Sequence, residues 1–296
     1  MIKEIKHFIL HLRLHYQFFI LSGGYLLGGL LADQMNTAQF WMQFLNVHVL
    51  LFGGATAYNS FWDKDEGPIG GLKRPPKMTL WMHRVSLIFM YIGLIWSFTL
   101  GLMYFLVFGL SLLLFWLYST PHARWKGHPE LSLLAIAVST GTNSVILGVL
   151  AAGGAFTVNI LLGSAGAGLI LLSIYPISQI YQGDEDSRRG DRTFFIKYGL
   201  KSVKIFFAVS FLTGLILLSF SLYQLYEIPA VLLFLLGLIS YLILMNFIVR
   251  LTGMSSEYEN VMGIKFFASL SFVLFLIAAN AIRYEWIGET YLKGYL

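Results

Sequence analysis

The chain has 296 residues, of which 57% are hydrophobic and only 12% are charged, and it contains 25 phenylalanines. One water-soluble globule could not cover that much apolar surface, so the sequence predicts an integral membrane protein. The absence of cysteine excludes disulfides, thiol nucleophiles and cysteine-ligated zinc or iron–sulfur clusters. The first residues mix charged and apolar side chains without a small-residue cleavage site, so we expect no removable signal peptide.

Nine apolar stretches are each long enough to cross a bilayer, which takes about 20 helical residues. Because backbone groups cannot stay unpaired in lipid, and barrel strands are shorter, these stretches predict helices. We therefore expect an all-α, polytopic membrane fold with one domain over 1–296, in which two weakly repeated halves, about 16–119 and 131–249, precede a ninth helix. In chain order the stretches are about 16–32, 38–58, 80–98, 101–119, 131–151, 157–181, 203–223, 229–249 and 263–282.

Basic residues are distributed unevenly between the two sides of this predicted bundle. With a cytoplasmic N-terminus, only Arg283 and Lys293 of the 20 lysines and arginines fall on the opposite side. This bias predicts an odd number of crossings and a C-terminus on the opposite side, in the inner (cell) membrane if the source is bacterial. The net charge of +5 then indicates a surface that faces lipid headgroups, and we expect neither a nucleic acid nor an obligate protein partner.

Acidic clusters end the second and sixth predicted helices, on the same, cytoplasmic side. In each cluster a polar residue and an aspartate are spaced i,i+4, which places both on one helix face. Carboxylates gathered in this way require cations, and oxygen donors without histidine or cysteine suit Mg²⁺. The spaced pairs are Asn59 with Asp63 and Gln182 with Asp186, and the neighbouring carboxylates are Asp65, Glu66, Asp184 and Glu185.

A basic segment between the fourth and fifth predicted helices reaches the same side. It contains Tyr118, Arg124 and Lys126 within the run YSTPHARWK. Alone, such a loop is most often a topology signal. Next to two acidic clusters it favours a site for a diphosphate, because a diphosphate bridged by metal still needs direct positive partners.

These three segments resemble motifs of the UbiA superfamily of intramembrane prenyltransferases. The first cluster resembles NxxxDxxxD, the second resembles DxxxD followed by GxRT, and YSTPHARWK resembles the YSxPxx(K/R)xK segment, with the helices in the same order along the whole chain. The resemblance implies Mg²⁺-dependent transfer of a prenyl group from a prenyl diphosphate to an aromatic or other lipophilic acceptor in the membrane.

The resemblance also implies site residues, all on the cytoplasmic side. Asp63 and Asp186 would be catalytic. Asn59 and Asp63 would help to bind one Mg²⁺ and Asp186 another, with Asp65 and Asp184 as further metal-binding residues. The diphosphate would contact Lys64, Tyr118, Arg124, Lys126 and Arg192. Asn143, in the fifth predicted helix, is a candidate acceptor-binding residue, although hydrogen bonding between helices is the commoner role of a buried amide.

Two positions depart from the family motifs. Gly67 stands where the first motif has its third acidic residue, and Gln182 stands where the second motif begins. The replacement carboxylates would be Asp65 or Glu66 in the first cluster and Asp184 or Glu185 in the second.

Three alternatives were weighed against prenyl transfer. A terpene cyclase of the same superfamily would use the same metal and diphosphate. A CDP-alcohol phosphotransferase would need a DGxxAR run, which this chain lacks. A secondary transporter would place ionisable residues near the midplane of the membrane, whereas these clusters lie at helix ends. The sequence leaves open the acceptor, the prenyl chain length, the choice between transfer and cyclisation, and the oligomeric state.

Overall fold

The structure is a computed structural model that describes residues 2–286. Lys293 and the end of the predicted domain, residues 287–296, lie outside the described residues. Within 2–286 the chain is helical, and its only strand-like pairing is an isolated bridge between Ile69 and Leu72. The all-α prediction is therefore confirmed.

Ten helical segments follow one another along the described chain. The N-terminal helix is α1, Ile2–Leu12. Two segments with π-helical turns come next, α2 over residues 14–31 and α3 over residues 37–63. The remaining helices are α4, Leu80–Leu100; α5, Leu102–Ser119; α6, Pro129–Ala152; α7, Val158–Arg189; α8, Phe194–Tyr223; α9, Glu227–Val249; and α10, Ser255–Arg283.

Seven of these helices, α4 to α10, are long and apolar enough to cross a membrane. Each of them matches one predicted stretch, and the chain is an integral membrane protein. The other two predicted crossings correspond to α2, which a turn interrupts at Ser22, and to α3, which is unusually polar. Their crossing remains a prediction.

The polar side chains of α3 are buried against protein. Gln43, Asn46 and His48 are almost fully inaccessible. The Asn46 amide donates hydrogen bonds to Gln43 Oε1 at 2.8 Å and to the backbone oxygen of Gly93 in α4 at 3.1 Å. Because these side chains are buried against protein and Asn46 bonds across to α4, the low hydropathy of α3 is compatible with a position among the other helices.

Close backbone contact between α2 and α6 organises the centre of the bundle. A Cβ atom added to Gly28 would lie 2.2 Å from the backbone oxygen of Val145, and one added to Gly148 would lie 2.1 Å from that of Tyr25. Only glycine permits this approach, which is a common way of packing helices in membranes. The contact places the polar ends of the neighbouring helices around a shared cavity.

We expect Gly148→Ala to destabilise the protein, because the added methyl group must push α2 and α6 apart. Overpacking of this kind costs about 1–3 kcal/mol. The matched control is Gly263→Ala in α10, where an added Cβ has no neighbour within 4 Å. Thermal unfolding in detergent, followed by tryptophan fluorescence, should show a lower midpoint for Gly148→Ala and an unchanged or higher one for Gly263→Ala. Equal midpoints would contradict the close contact.

Candidate active site

A cavity of about 210 Å³ lies where α3, α5 and α7 end, and it is bounded on its other sides by α2, α6 and α10. The π-helical turns 17–21, 46–53 and 137–142 of α2, α3 and α6 contribute Ile20, Leu21, Phe52 and Thr140 to its wall. Such turns are frequent at functional sites because they re-aim side chains within a helix. Five of the predicted site residues line the cavity, Asn59, Asp63, Asp65, Tyr118 and Lys126, and so does Gln182.

Asp63 is the most heavily engaged carboxylate in the cavity, and it is only 7% exposed. Its Oδ2 atom lies 2.6 Å from Lys126 Nζ and accepts a 2.7 Å hydrogen bond from the Asn59 amide. Asn59 in turn accepts a hydrogen bond from Ser119 Oγ at 3.0 Å. Asp63 Oδ1 has no hydrogen-bond partner among the described residues, and Arg124 Nη1 lies 3.8 Å from it.

Asp65 follows directly, because Lys64 adopts a left-handed conformation that ends α3 and turns the chain. The Asp65 side chain lies 2.6 Å from Arg189 Nη2, and Glu185 lies at the same distance from that atom. Burial and the neighbouring Asp63 carboxylate raise the pKa of Asp65, while Lys126 and Arg189 partly offset that rise. Arg189 therefore connects the first acidic cluster to the second.

Asp186 is buried, with 6% of its surface exposed, in the short last helical turn of α7. Its charged neighbours include Lys126, Asp191, Arg189 and Asp63. The two predicted catalytic aspartates thus share Lys126 as a neighbour. This arrangement brings the two acidic clusters into one electrostatic network.

The basic loop after α5 is fixed to the loop after α7. Arg124 donates two hydrogen bonds of 2.7 Å to the two oxygens of Asp191, and the backbone N–H of Arg192 donates to the oxygen of Gly127 at 2.9 Å. A planar, bidentate arginine–carboxylate pair is geometrically restrictive. It holds the loop so that Lys126 enters the cavity.

Six other predicted residues do not line the cavity: Asp186 and Arg124, described above, and four more. Lys64 and Arg192 are exposed. Asp184 is exposed as well, and it accepts a hydrogen bond from the Ser255 hydroxyl. Asn143 is buried and donates to Ser111 Oγ at 2.9 Å, which joins α6 to α5. Roles for these residues in substrate binding remain predictions.

Several residues at the site were not among those predicted from the motifs. Arg189 and Asp191 flank the second cluster. Their closeness in sequence to its aspartates could have indicated that they belong to the site. Arg13 and Lys265 also line the cavity, although they lie at opposite ends of the chain. A single sequence contains no signal that places these two together.

The donor set fits a magnesium ion. Within residues 2–286, no group of three or more histidine, aspartate or glutamate side chains is arranged to hold a metal. Mg²⁺ usually takes only one or two protein carboxylates and leaves its other positions to water and substrate phosphate. Asp63, with one oxygen free of hydrogen bonds, and the nearby Asp186 provide such a pair.

The fold and the site define a helical membrane protein with an acidic and basic cavity at one end of its bundle. The family model for the UbiA prenyltransferase family matches residues 20–270, and the chain belongs to this family. A comparison with curated proteins found no match.

Solved structures share the fold at low sequence identity. A UbiA homolog from Archaeoglobus fulgidus bound to GPP and Mg²⁺ has a TM-score of 0.73 at 14% identity, covering 93% of this chain and 99% of that one. An apo UbiA homolog from Aeropyrum pernix K1 has a TM-score of 0.66 at 20% identity, and the match covers 92% of this chain and 98% of that one. A digeranylgeranylglyceryl phosphate synthase has a TM-score of 0.63 at 17% identity, and the match covers 94% of this chain and 99% of that one.

We expect the Arg124–Asp191 pair to contribute measurably to stability. In a double-mutant cycle of Arg124→Ala and Asp191→Ala, the coupling in the free energy of unfolding should be about 1.5–3 kcal/mol, as for charge-assisted hydrogen bonds. The exposed pair Lys197–Glu130 is the matched control, and solvent screening should make its coupling smaller. Additive effects at Arg124 and Asp191 would contradict the proposed clamp between the loops.

Proposed function

We propose that the protein transfers a prenyl group from a prenyl diphosphate to a lipophilic acceptor in the membrane, in a reaction that requires Mg²⁺. The observation that carries the proposal is that Asp63 and Lys126, 2.6 Å apart, line the cavity together with Asp65, which Arg189 joins to the second acidic cluster. Membership of the UbiA family supports it. So does the archaeal homolog of the same fold, whose solved structure is bound to GPP and Mg²⁺.

The acidic side chains would hold the metal. Asp63 and Asp186 are the principal ligands in this proposal, with Asn59 and Asp65 beside them. Of the carboxylates weighed for the missing motif positions, Asp65 lines the cavity, whereas Asp184 is exposed. When bound, Mg²⁺ supplies positive charge that stabilises the departing diphosphate.

The basic side chains would bind the diphosphate directly. The Lys126 side chain lines the cavity and is only 11% exposed. Its interactions with charged groups are therefore less weakened by water than they would be at the protein surface. A charge-assisted hydrogen bond from its ammonium group to a phosphate oxygen would orient the donor. Tyr118, which shares a 3.0 Å hydrogen bond with Tyr175, adds a hydroxyl group to the same wall.

The prenyl chain would occupy a second, largely apolar cavity of about 360 Å³. This cavity lies between α2, α7, α8, α9 and α10, and it adjoins the first one. Both cavities are lined by Ile20, Leu21, Thr140, Leu171, Ile174 and Ser269. An apolar space next to a charged one matches a molecule with an isoprenoid tail and a diphosphate head, because burial of the tail is favoured by the hydrophobic effect.

The decisive experiment is an activity assay with purified protein in nanodiscs, Mg²⁺, radiolabelled geranyl diphosphate and a membrane extract as the acceptor source. We expect wild-type protein to release diphosphate and to label a lipid. Asp63→Asn and Asp186→Asn should each reduce turnover about 100-fold or more, since charge stabilisation of the transition state is lost. Glu130→Gln, at an exposed carboxylate remote from the cavity, is the control.

Each outcome of this assay is informative. Full turnover by both aspartate variants would overturn the proposed site. A cyclised hydrocarbon or alcohol derived from the donor, formed without any labelled acceptor, would replace prenyl transfer by terpene cyclisation.

We also propose that the cavity opens to the cytoplasm, as the distribution of basic residues indicates. Single cysteines at three exposed positions, Lys64, His122 and Ser187, should then react with a membrane-impermeant maleimide only from the cytoplasmic side. A cysteine at the exposed Ala155, between α6 and α7, should react only from the other side. The chain has no native cysteine to interfere. Reaction of any of the first three from the outside would contradict a shared cytoplasmic site.

A further inference from the structure

The N-terminal helix α1 is amphipathic and keeps part of its apolar surface exposed. Ile2, Ile5 and Ile9 are 84%, 41% and 51% exposed, respectively. Their i, i+3, i+7 spacing places the three side chains on one face of the helix. Lys3 and Lys6 are exposed as well, on the face next to it. The outer side of α1 is therefore an apolar strip bordered by positive charge.

The inner side of α1 is packed against the helix bundle. Phe8 and Leu12, each 4% exposed, form a buried cluster with Ala57 of α3 and Met82 of α4. The Phe8 ring also packs edge-to-face on the ring of Phe89, with 5.2 Å between their centroids. Because this packing fixes the rotation of α1 about its own axis, the isoleucine face cannot turn inward as well.

Hydrogen bonds attach the end of α1 to the part of the bundle that holds the candidate active site. His11 Nε2 donates to the backbone oxygen of Pro76, in the loop between α3 and α4, at 2.7 Å. The Gln17 amide donates to the backbone oxygen of Leu12 at 3.0 Å and to the hydroxyl of Thr56, which lines the cavity, at 3.1 Å. The helix thus has a defined position beside the cavity.

α1 lies level with the start of a membrane-spanning helix. It packs on the first turns of α4, which is long and apolar enough to cross a membrane. The first two residues of α4, Leu80 and Trp81, are 54% and 42% exposed, and the Trp81 ring centroid lies 6.2 Å from that of Phe8. Tryptophan is enriched where spanning helices enter the lipid headgroup region. The exposed face of α1 is therefore at the depth of the membrane interface.

Charge indicates which kind of partner covers this face. Lys3 and Lys6 outnumber Glu4, the only acidic residue of α1. Lys77 and Arg84, both exposed, add positive charge in the adjoining loop and on α4. An amphipathic helix of this type lies in the interface plane, with its apolar side in the acyl boundary and its lysines among the headgroups. The cytoplasmic leaflet, which the proposed orientation places at this end, contains anionic lipids.

We infer that α1 is an interfacial helix that binds an anionic lipid surface. Ile2, Ile5 and Ile9 enter the acyl boundary, while Lys3 and Lys6 contact lipid phosphates. This surface is separate from the candidate active site, since residues 2–12 line neither of the two cavities. The inference does not depend on the proposed prenyl transfer, and none of the measurements below requires that reaction.

The first measurement locates α1 relative to the bilayer, with the full chain in nanodiscs and one nitroxide label on a single cysteine. Labels on Ile5→Cys and Ile9→Cys should collide more with oxygen, which concentrates in lipid, than with a water-soluble nickel complex. A label on Lys3→Cys should show the opposite preference. The reference positions are Ile95→Cys for lipid, on α4 and 72% exposed, and the exposed Ser187→Cys for water.

The second measurement identifies the lipid beside α1. The nanodiscs contain equal parts of phosphatidylglycerol and phosphatidylcholine, and only one of the two carries bromine on its acyl chains. Bimane on Ile9→Cys should be quenched more by brominated phosphatidylglycerol, with an enrichment of about fivefold for a lysine near an anionic surface. Lys3→Gln combined with Lys6→Gln should remove this enrichment.

A matched control removes the same charge from other helices. Arg188→Gln combined with Lys201→Gln, at exposed positions of α7 and α8, should leave the enrichment at residue 9 unchanged. Thermal unfolding of each variant shows that it is folded.

Three outcomes would overturn the inference. If the labels at residues 5 and 9 collide with the nickel complex as often as the label at residue 3 does, α1 lies in water. If both brominated lipids quench equally, the surface does not select anionic lipid. Low collision with both reagents, together with dipolar broadening between labels on two chains, would mean that a second copy of the chain covers this face.

Discussion

The need to neutralise a buried carboxylate at the end of a membrane helix is the constraint on which the rest of this site depends. Asp63 lies almost out of contact with water, and an isolated charge there would be strongly unfavourable. Lys126 meets this need from a loop more than 60 residues away in sequence. The pair therefore fixes the end of α3 against the loop between α5 and α6, and Asp186, in α7, has the same lysine among its charged neighbours.

The glycine at position 67, where the family motif has an acidic residue, is also explained by the charges around it. A side chain at Gly67 would place its Cβ 3.2 Å from Glu185 Oε2, and Glu185 Oε1 already accepts a 3.0 Å hydrogen bond from the backbone N–H of Glu66. An aspartate at this position would stand beside another carboxylate. The chain instead connects its two acidic clusters through Glu185 and the backbone, with Arg189 balancing Glu185 and Asp65.

The helices were predictable because hydropathy alone determines where a chain can cross lipid, and α4 to α10 match the predicted stretches to within a few residues for most of their ends. Local spacing also predicted that Asn59 and Asp63 share a helix face, and both line the cavity. It could not separate Asp184 from Asp186, because two residues along a helix point to different faces and only packing shows which one is buried. Nothing in the sequence placed Arg13 and Lys265 in one cavity, since their meeting depends on how the first and last parts of the chain pack.

Arg124 and Lys126, the two basic residues of the motif in the loop after α5, have different surroundings. The motif alone does not distinguish them. Two nitrogens of the Arg124 guanidinium group, Nε and Nη2, donate to Asp191, so the orientation of this side chain is fixed by the protein. Lys126 is a flexible point charge that lines the cavity and shares Asp63 with Asn59. A lysine ammonium can adjust its position to bind any of several phosphate oxygens, whereas a guanidinium group already held in a planar ion pair cannot. Within the proposed reaction, Arg124 is therefore a positioning residue and Lys126 the contact to the donor.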